Sequence, residues 1–302
     1  MPMETERLSP RYANIDAWDP ADILEAMVEG QFAAVAAVRA AMAAIERAAL
    51  AMEERLEAGG RLAYAGAGTS GRLAAQDGAE LMPTFGWPED RLLLLIAGGH
   101  KALLQAVEGA EDETGQAAVL VEEYGVATGD VLIAIAASGT TPFTLACLRE
   151  AKSRGALTIG IVSNPGTPLL DEADCPIWLD TGPEAIAGST RMKAGTAQRI
   201  TLGLLSSLVM IRLGRVYAGL MVDVQASNAK LVRRSQEMLR HLTGLPGEEV
   251  KEALERANGS VKLALLLLEG LSAEEAGRLL ERSGGRLREA LATIGRERPL
   301  RD

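Results

Sequence analysis

The sequence predicts an α/β protein with a doubly wound, parallel, five-stranded sheet, N-terminal helices and a small C-terminal helical bundle. Five short apolar runs lack polar alternation, which is typical of strands that are covered on both faces. Helical segments separate these runs, as they do in a sheet built from βαβ units. Helical patterns also precede the first run and follow the last one.

The pattern divides the chain into three segments. Residues 1–58 form a polar arm and then a helical stretch that starts at residue 20 and ends at Gly59-Gly60. Residues 59–243 contain all five apolar runs, followed by two long helices with a break near Gly214. Residues 244–302 predict three or four short helices, which we expect to form the small bundle.

The five predicted strands occur in order after the first helical stretch. The five stretches are six to ten residues long, and helical segments separate them. The runs lie within residues 61–68, 91–99, 130–139, 157–164 and 175–180. In the C-terminal segment the helix breaks are predicted at Asn258-Gly259, Gly270 and Gly284-Gly285.

Composition and charge exclude several classes of protein. The 302 residues are 48% hydrophobic and carry a net charge of −10, which argues against a nucleic-acid partner or an anionic membrane surface. The charged start has no secretory signal, and the apolar stretch Thr201–Leu213 is too short to span a bilayer and contains Arg212. We therefore expect a cytoplasmic protein. Cys147 and Cys175 are expected to be buried small side chains without a redox or metal role.

A glycine-rich loop follows the first predicted strand. The stretch "YAGAGTSGRL" contains G-x-G-x-x-G at Gly66, Gly68 and Gly71. Backbone N–H groups in such a loop favour an anion. A dinucleotide site also needs an acidic residue at the end of the next strand, and that strand ends in "IAGGH". The loop therefore favours a phosphorylated ligand over a nicotinamide cofactor.

Three loops rich in hydroxyl groups are expected at the carboxyl edge of the sheet. They contain Thr69 and Ser70, the stretch Ser138–Thr141, and the pair Ser189 and Thr190. Ligands of open α/β sheets bind at that edge, and hydroxyls with backbone amides can bind a phosphate monoester. The alternative is that these residues only cap helices. We favour the phosphate site because all three loops share the pattern.

The stretch "GPEAIAGSTRMKAGTAQR" concentrates charged and hydroxyl residues before a long helix. It contains Glu184, Arg191 and Lys193 beside the hydroxyls of Ser189 and Thr190. A capping role explains Ser189 or Thr190. It does not explain two basic residues among glycines, so we expect them to face a ligand anion.

Two acidic clusters offer acid–base chemistry. Glu80 lies late in the helix after the glycine loop, and Glu111 lies in "AVEGAEDETG" after the second strand. A lone glutamate is usually a solvated side chain. Here, two carboxylates near ligand-binding loops can serve as general acid and general base. The two histidines, His100 and His241, have no metal-ligand spacing, and no G-x-S-x-G motif occurs.

Taken together, these motifs resemble the N-acetylmuramic acid 6-phosphate etherases, whose fold is the sugar isomerase (SIS) domain. The matching stretches run in the same order from residue 5 to about residue 265. They are "TERLSPRYANID", "GAGTSGRL", "PTFG", "IAGG", "AVEGAED", "IAASG", "SNPGTPL", "GPEAIAGSTRMKAGTAQR", "YAGLMVDVQASNAKL" and "ANGSVKLA". The stretch "GSTRMKAGTAQ" is the most specific of these.

The resemblance implies a carbon–oxygen lyase that acts in cell-wall amino sugar recycling. Its substrate is a 6-phosphosugar with a D-lactyl ether at C3, and its products are N-acetylglucosamine 6-phosphate and D-lactate. By position, Glu80 corresponds to the proton donor and Glu111 to the second acid–base residue. The implied substrate-binding residues are Gly68, Thr69, Ser70, Ser138, Gly139, Thr141, Ser189, Thr190, Arg191 and Lys193.

The resemblance further implies no cofactor or metal, and a homodimer. The N-terminal helices and the helix over residues 192–213 are the expected interface elements.

The chain departs from the family pattern at two places. Around the retained Glu80, the residues Gly78, Leu81 and Met82 differ from the usual pattern. In "SGTTP", Thr140 stands where the family has an arginine. Loss of that positive charge is expected to shift substrate preference without touching either glutamate.

Two alternative functions use the same fold. An aldose–ketose isomerase also needs a carboxylate base at C2, but it would release no lactate. A sugar-phosphate-sensing regulator would not need the catalytic acids. A transcriptional regulator would add a basic helix-turn-helix arm, whereas the N-terminal arm here is short and acidic to neutral.

Overall fold

The computed structural model of the chain describes residues 3–224 and 229–296. Its central feature is a parallel sheet with the strand order β2-β1-β3-β4-β5. Each strand falls inside one of the five apolar runs, so the predicted sheet is confirmed. The order is one of the two common doubly wound arrangements. The strands are β1 (Leu62–Gly66), β2 (Leu92–Ile96), β3 (Val131–Ile135), β4 (Leu157–Val162) and β5 (Cys175–Trp178).

Helices cover the sheet because its strands are apolar on both faces. Successive strand residues point to opposite faces. Leu132 and Ala134 of β3 belong to one core cluster, whereas Ile133 and Ile135 point to the other face and are also fully buried. That cluster includes residues of α5 (Thr114–Glu123) and of α6 (Pro142–Ser153), which also packs on β1, β3 and β4. The short helices α4 (Lys101–Leu104) and α7 (Pro168–Glu172) follow β2 and β4.

The N-terminal helical stretch is interrupted. It consists of α1 (Pro20–Ala40) and α2 (Met42–Glu57), with a bend of 57° at Ala41. The sequence predicted helix throughout residues 20–58. The break carries no glycine or proline, so the alanine-rich pattern could not reveal it. After the bend, α2 packs against β3, β4 and β5.

Two long helices begin at or just after hydroxyl-rich stretches of the sequence. They are α3 (Gly68–Phe85) and α8 (Lys193–Arg212). Within the described part of the chain, α8 is long and apolar enough to cross a bilayer, as is the bent pair α1–α2 taken together. Sequence reasoning considered only the apolar stretch Thr201–Leu213, whereas α8 begins earlier, at Lys193. However, 56% of its most apolar window is buried, which is typical of a core helix.

Contacts group the chain into two compact units. The first unit comprises residues up to Gly78 together with Asp90–Ser206, and it contains the five-stranded sheet. The second unit comprises Ala79–Glu89 and the residues from Ser207 onward. The division of the sequence at residues 58 and 243 stays a prediction.

Among its described residues, the second unit contains a small hairpin and five complete helices. The hairpin pairs β6 (Val216–Tyr217) with β7 (Leu220–Met221), and Ala218 and Gly219 between them both have positive φ, as in a type I′ turn. The sequence correctly predicted the helix break near Gly214, but strands of two residues are too short to give an alternating pattern. The helices are α9 (Ala229–Thr243), α10 (Gly247–Arg256), α11 (Val261–Leu268), α12 (Ala273–Arg282) and α13 (Leu287–Thr293).

Helices α9–α13 share one apolar core with the hairpin. Of the three or four short helices expected in the C-terminal segment, four are present, with breaks where the glycines predicted them. Residues 225–228 of the motif "YAGLMVDVQASNAKL" lie outside the described residues, as do residues 297–302.

The two cysteines differ in burial. Cys147 is fully buried in α6, and burial raises the pKa of its thiol to about 12. Cys175 was also expected to be buried, but it is only half-buried because it lies on β5, at the edge of the sheet. Burial and the neighbouring Asp174 raise the pKa of Cys175 as well.

Candidate active site

The glycine-rich loop serves close packing as well as ligand access. A Cβ atom on Gly71 would lie 2.7 Å from the carbonyl oxygen of Gly66. A side chain at either position would therefore separate the first turn of α3 from the end of β1. Gly68 begins α3 with φ +53, a conformation that glycine adopts most easily. Two of the three motif glycines thus bring helix and strand together.

Below this loop, α3 is anchored by Asp77. The hydroxyl of Tyr64 on β1 donates to Asp77 Oδ2 at 2.8 Å, and Ser206 Oγ of α8 donates to Oδ1 at 3.3 Å. Asp77 is 5% exposed. Burial, followed by the Asp77 charge, raises the pKa of Tyr64, so its hydroxyl stays a hydrogen-bond donor at neutral pH.

The start of α8 is capped by a buried glutamate. Glu184 is 1% exposed, and its two oxygens accept the backbone N–H groups of Lys193 and Ala194, each at 3.0 Å. The sequence favoured Ser189 or Thr190 for this role. Glu184 fills it because the loop 185–192 turns back on itself before the helix begins.

Lys193 is buried beside this cap. Its Nζ donates to the carbonyl oxygen of Pro183, and its Cδ would lie 3.2 Å from a Cβ on Gly30 of α1. Burial lowers the pKa of the Lys193 ammonium, although the charge of Glu184 acts to raise it. Arg191, in contrast, is exposed. The two basic residues predicted to face a ligand anion therefore lie in different surroundings.

The first hydroxyl-rich loop contacts the start of α8. A Cβ on Gly195 would lie 3.5 Å from Thr69 Cγ2 and 3.2 Å from the Thr190 carbonyl oxygen. Ser70 Oγ lies 2.9 Å from Oε1 of Gln198 on the same helix. Thr69 and Ser70 thus lie against the first turns of α8, and the Thr190 carbonyl oxygen lies near Gly195 of the same helix. That these hydroxyls bind a ligand stays a prediction.

Gln198 was missed by sequence reasoning. The helical spacing could have indicated it, because Gln198 lies three residues after Gly195 and positions three apart share one face of a helix.

The hydroxyl-rich loop after β3 leaves the sheet beside the loop after β1. Gly66 at the end of β1 is in register with Ile135 at the end of β3. Ser138 Oγ accepts from the Thr140 N–H at 3.2 Å and lies 3.1 Å from Thr141 Oγ1. These hydroxyls form a compact turn at the edge where the sequence predicted a phosphate site.

The N-terminal arm links these loops. Thr5 is 1% exposed, and its carbonyl oxygen accepts the Gly188 N–H at 3.0 Å. Asn164, which follows β4, donates to Thr5 Oγ1 at 3.0 Å and to the Ala137 carbonyl oxygen at 2.8 Å. The arm therefore connects the loop after β3 to the loop of Ser189. Sequence reasoning noted the "TERLSPRYANID" stretch as a family match but gave it no structural role.

Glu111 lies on a short helical turn after β2. The turn, Ala110–Asp112, is anchored by the buried Ala110, while Glu111 itself is exposed. Arg72 of α3 donates to the carbonyl oxygens of Ala102 and Gln105, at 2.9 and 3.2 Å. These bonds tie the segment before Glu111 to the helix that begins at the glycine loop.

Glu80 lies on α3, within the second unit, and is exposed. The end of this helix is held by Arg215, which donates to the carbonyl oxygens of Phe85 and Gly86 at 2.8 and 2.9 Å. The Arg215 guanidinium also lies 5.0 Å from the centre of the Trp87 ring. Both predicted catalytic carboxylates are thus open to solvent on anchored elements.

Two family models match overlapping parts of the chain. Residues 104–208 match the SIS domain, and residues 43–152 match the N-terminal SIS domain of glucokinase regulatory protein. A solved phosphoheptose isomerase from Francisella tularensis has 23% identity and a TM-score of 0.48, covering 64% of this chain and 98% of that chain.

Curated relatives match most of the chain. The N-acetylmuramic acid 6-phosphate etherase of Deinococcus radiodurans is 50% identical over 268 residues, which cover 89% of this chain and 88% of the relative. The etherase of Rubrobacter xylanophilus is 43% identical, with coverage of 87% and 88%. That of Geobacillus thermodenitrificans is 42% identical, with coverage of 88% and 90%. The chain belongs to the N-acetylmuramic acid 6-phosphate etherase family and is built on a SIS domain.

Proposed function

We propose that this protein cleaves the D-lactyl ether of N-acetylmuramic acid 6-phosphate, giving N-acetylglucosamine 6-phosphate and D-lactate. The observation that carries the proposal is its 50% identity to a named etherase over 89% of the chain. The protein is accordingly a carbon–oxygen lyase that would act in amino sugar recycling.

The first half of the reaction is an elimination. In the open-chain aldehyde, a carboxylate removes the proton from C2, which the neighbouring carbonyl makes acidic. The electron pair forms the C2–C3 double bond, and the C3–O bond to lactate breaks. A carboxylic acid protonates the departing oxygen. Glu80 and Glu111 are the residues proposed for these two proton transfers, with Glu80 as the donor.

The second half is a hydration. Water adds to C3 of the unsaturated aldehyde, and a proton returns to C2. The same two carboxyl groups can run this step with their roles exchanged, since the elimination leaves the base protonated and the acid ionised. No redox step or added cofactor enters the proposal.

The hydroxyl-rich loops are the proposed binding site for the phosphosugar. Ser138, Gly139 and Thr141 form the compact turn at the end of β3, where Gly139 has φ +71. The other proposed contacts are Gly68, Thr69, Ser70, Ser189 and Thr190. Hydroxyl and amide donors would hold the phosphate, which suits a chain whose net charge is −10.

Arg191 is the better candidate of the two basic residues for the lactyl carboxylate. It is exposed, whereas the Lys193 ammonium already donates to the Pro183 carbonyl oxygen. We propose that Lys193 acts mainly through the shape of the loop that holds Ser189 and Thr190.

We also propose that the protein is a cytoplasmic homodimer. Helix α1 exposes an apolar stripe at helical spacing, and Phe32 in it is 71% exposed. A stripe of this kind is typical of a protein interface. Its members are Leu24, Val28, Phe32 and Val35.

The test uses purified protein, N-acetylmuramic acid 6-phosphate and an assay for released D-lactate. We expect the wild type to release lactate without added metal or nicotinamide. Glu80→Gln should lower kcat by about 10²- to 10⁴-fold, because the amide cannot give up a proton to the leaving oxygen.

The matched control is Glu108→Gln, which changes an exposed glutamate near Glu111 without a proposed role. It should keep near wild-type activity. Folded wild-type protein that releases no lactate would contradict the proposal. A new sugar phosphate without lactate would then indicate an isomerase, and binding without turnover would indicate a sensor.

A further inference from the structure

Gln198 presents an unsatisfied buried amide beside the first ligand loop. The side chain is 1% exposed, and its Oε1 lies 2.9 Å from Ser70 Oγ. Its Nε2 has no hydrogen-bond partner among the described residues. Buried amide nitrogens are normally paired, so such a group calls for an explanation.

The same heavy-atom positions allow two arrangements of protons. In the first, Ser70 donates its hydroxyl proton to Gln198 Oε1, and both N–H groups of the amide stay unpaired. In the second, the amide is rotated by half a turn, and Nε2 donates to Ser70 Oγ. The second arrangement pairs one N–H group, places Oε1 where no partner lies among the described residues, and releases the Ser70 proton for another acceptor.

We propose that Gln198 is a positioning residue that donates to Ser70 Oγ, so that Ser70 donates its own proton to the bound phosphosugar. This inference rests on the proposed function, because it takes a sugar phosphate as the ligand.

The surroundings of Ser70 support a ligand on the side away from Gln198. Ser70 as a residue is 8% exposed, whereas Gln198 is 1% exposed. It lies in the first turn of an 18-residue helix, where backbone N–H groups favour an anion. Thr69 Cγ2 would lie 3.5 Å from a Cβ on Gly195, in the first turn of α8. A proton donated by Ser70 would therefore add to the backbone N–H groups at the start of α3.

The experiment is a double-mutant cycle read out by binding. The probe is N-acetylglucosamine 6-phosphate, and its Kd is measured by calorimetry for the wild type, Gln198→Met, Ser70→Ala and the double variant. Methionine keeps the length of glutamine but cannot donate. We expect each single change to weaken binding by about 3- to 10-fold, the effect of one neutral hydrogen bond.

The double variant carries the decisive comparison. If Gln198 acts through Ser70, adding Gln198→Met to Ser70→Ala should change Kd by less than about 2-fold. An equal loss in both backgrounds would overturn the proposal, as would wild-type binding by Gln198→Met. If Gln198→Met does not fold, Gln198→Ala takes its place in the same cycle.

A second glutamine provides the matched control. Gln31 accepts from Thr196 Oγ1 at 2.6 Å, so it also pairs with a hydroxyl on α8. Gln31→Met should leave Kd for the probe unchanged, which would separate a local effect from general loosening of α8.

Lactate release is measured in parallel. Wild-type protein that binds the probe but releases no lactate would contradict the etherase proposal, while the cycle would still decide the role of Gln198. Wild-type protein that does not bind the probe would overturn the inference about Gln198.

Discussion

At the scale of single residues, Asp130 shows how one buried carboxylate joins two strands. It precedes β3 and accepts from the Arg61 backbone N–H at 2.9 Å, from the Arg61 guanidinium at 2.6 Å and from the Ala127 N–H at 3.1 Å. Burial alone would raise the pKa of Asp130. The bonds from Arg61 and Ala127 outweigh it, so the pKa lies below its ordinary value.

This lowered pKa predicts a pH-dependent contribution to stability. The contribution is complete above the ordinary aspartate pKa of about 4 and is lost as the pH falls through the lower pKa of the folded state. We expect Asp130→Asn to lower the free energy of unfolding by about 2 kcal/mol at pH 7. The difference from wild type should narrow below pH 4, as measured by urea unfolding across pH.

The control for this prediction is the exposed pair of Arg149 and Glu172. Because solvent screens that pair, Glu172→Gln should cost less than about 1 kcal/mol at pH 7. An Asp130→Asn cost that stayed constant from pH 7 to pH 2 would contradict the role of the ionised carboxylate.

Single residues also show where sequence reasoning stopped. Ser70 was predicted as a ligand hydroxyl from its loop alone. Its partner Gln198 follows it by 128 positions, and only the packing of α3 on α8 brings them together. The role of Lys193 likewise depended on Pro183 and Gly30, which no local pattern connects to it.

At the scale of elements, the start of α8 depends on Glu184. Its carboxylate satisfies two backbone N–H groups that a helix start leaves unpaired, and its negative charge favours the positive end of the helix. We expect Glu184→Ala to lower the free energy of unfolding by about 1–2 kcal/mol. Glu184→Gln should cost less, since the amide keeps one acceptor oxygen.

Chemical unfolding of the wild type, Glu184→Gln and Glu184→Ala would test this order of decreasing stability. Glu249→Gln is the matched control, because Glu249 lies exposed in the first turn of α10. We expect that change to stay within about 0.5 kcal/mol of wild type. Equal stabilities for wild type and Glu184→Ala would show that the cap does not stabilise α8.

Elements with a strong repeated pattern were predictable, and those without one were not. The five strands were found because each is a continuous apolar run between turn residues. The bend at Ala41 was missed because alanine is favourable both before and after it. The hairpin of β6 and β7 was missed because its pairing depends on the positive φ of Ala218, which a sequence pattern does not indicate.

At the scale of the whole molecule, the exposed stripe of α1 predicts self-association. Replacing Phe32 by glutamate would place a charge in the centre of the proposed interface, where it would lose its hydration. We expect Phe32→Glu to convert a dimer into a monomer in sedimentation equilibrium. The control Val119→Glu, which alters an exposed apolar residue on α5, should leave the dimer intact. A wild-type protein that sediments as a monomer would contradict the proposal.

The division into two compact units was the least predictable property of the molecule. Helix α3 contributes Ser70 to the first unit and Glu80 to the second. A pattern of helix and strand types contains no information about such a division, because it depends on contacts between distant segments. The sequence therefore predicted the two ends of α3 as parts of one site without predicting which unit holds each end.

The contact between Gly66 and Gly71 has an evolutionary consequence. The backbone of each glycine occupies the space that a Cβ atom on the other would need, so a side chain at either position would separate β1 from α3. Both positions are therefore expected to stay glycine during evolution, whatever ligand the loop binds. A motif search for nucleotide-binding proteins would then select this chain on two glycines that backbone clearance alone requires.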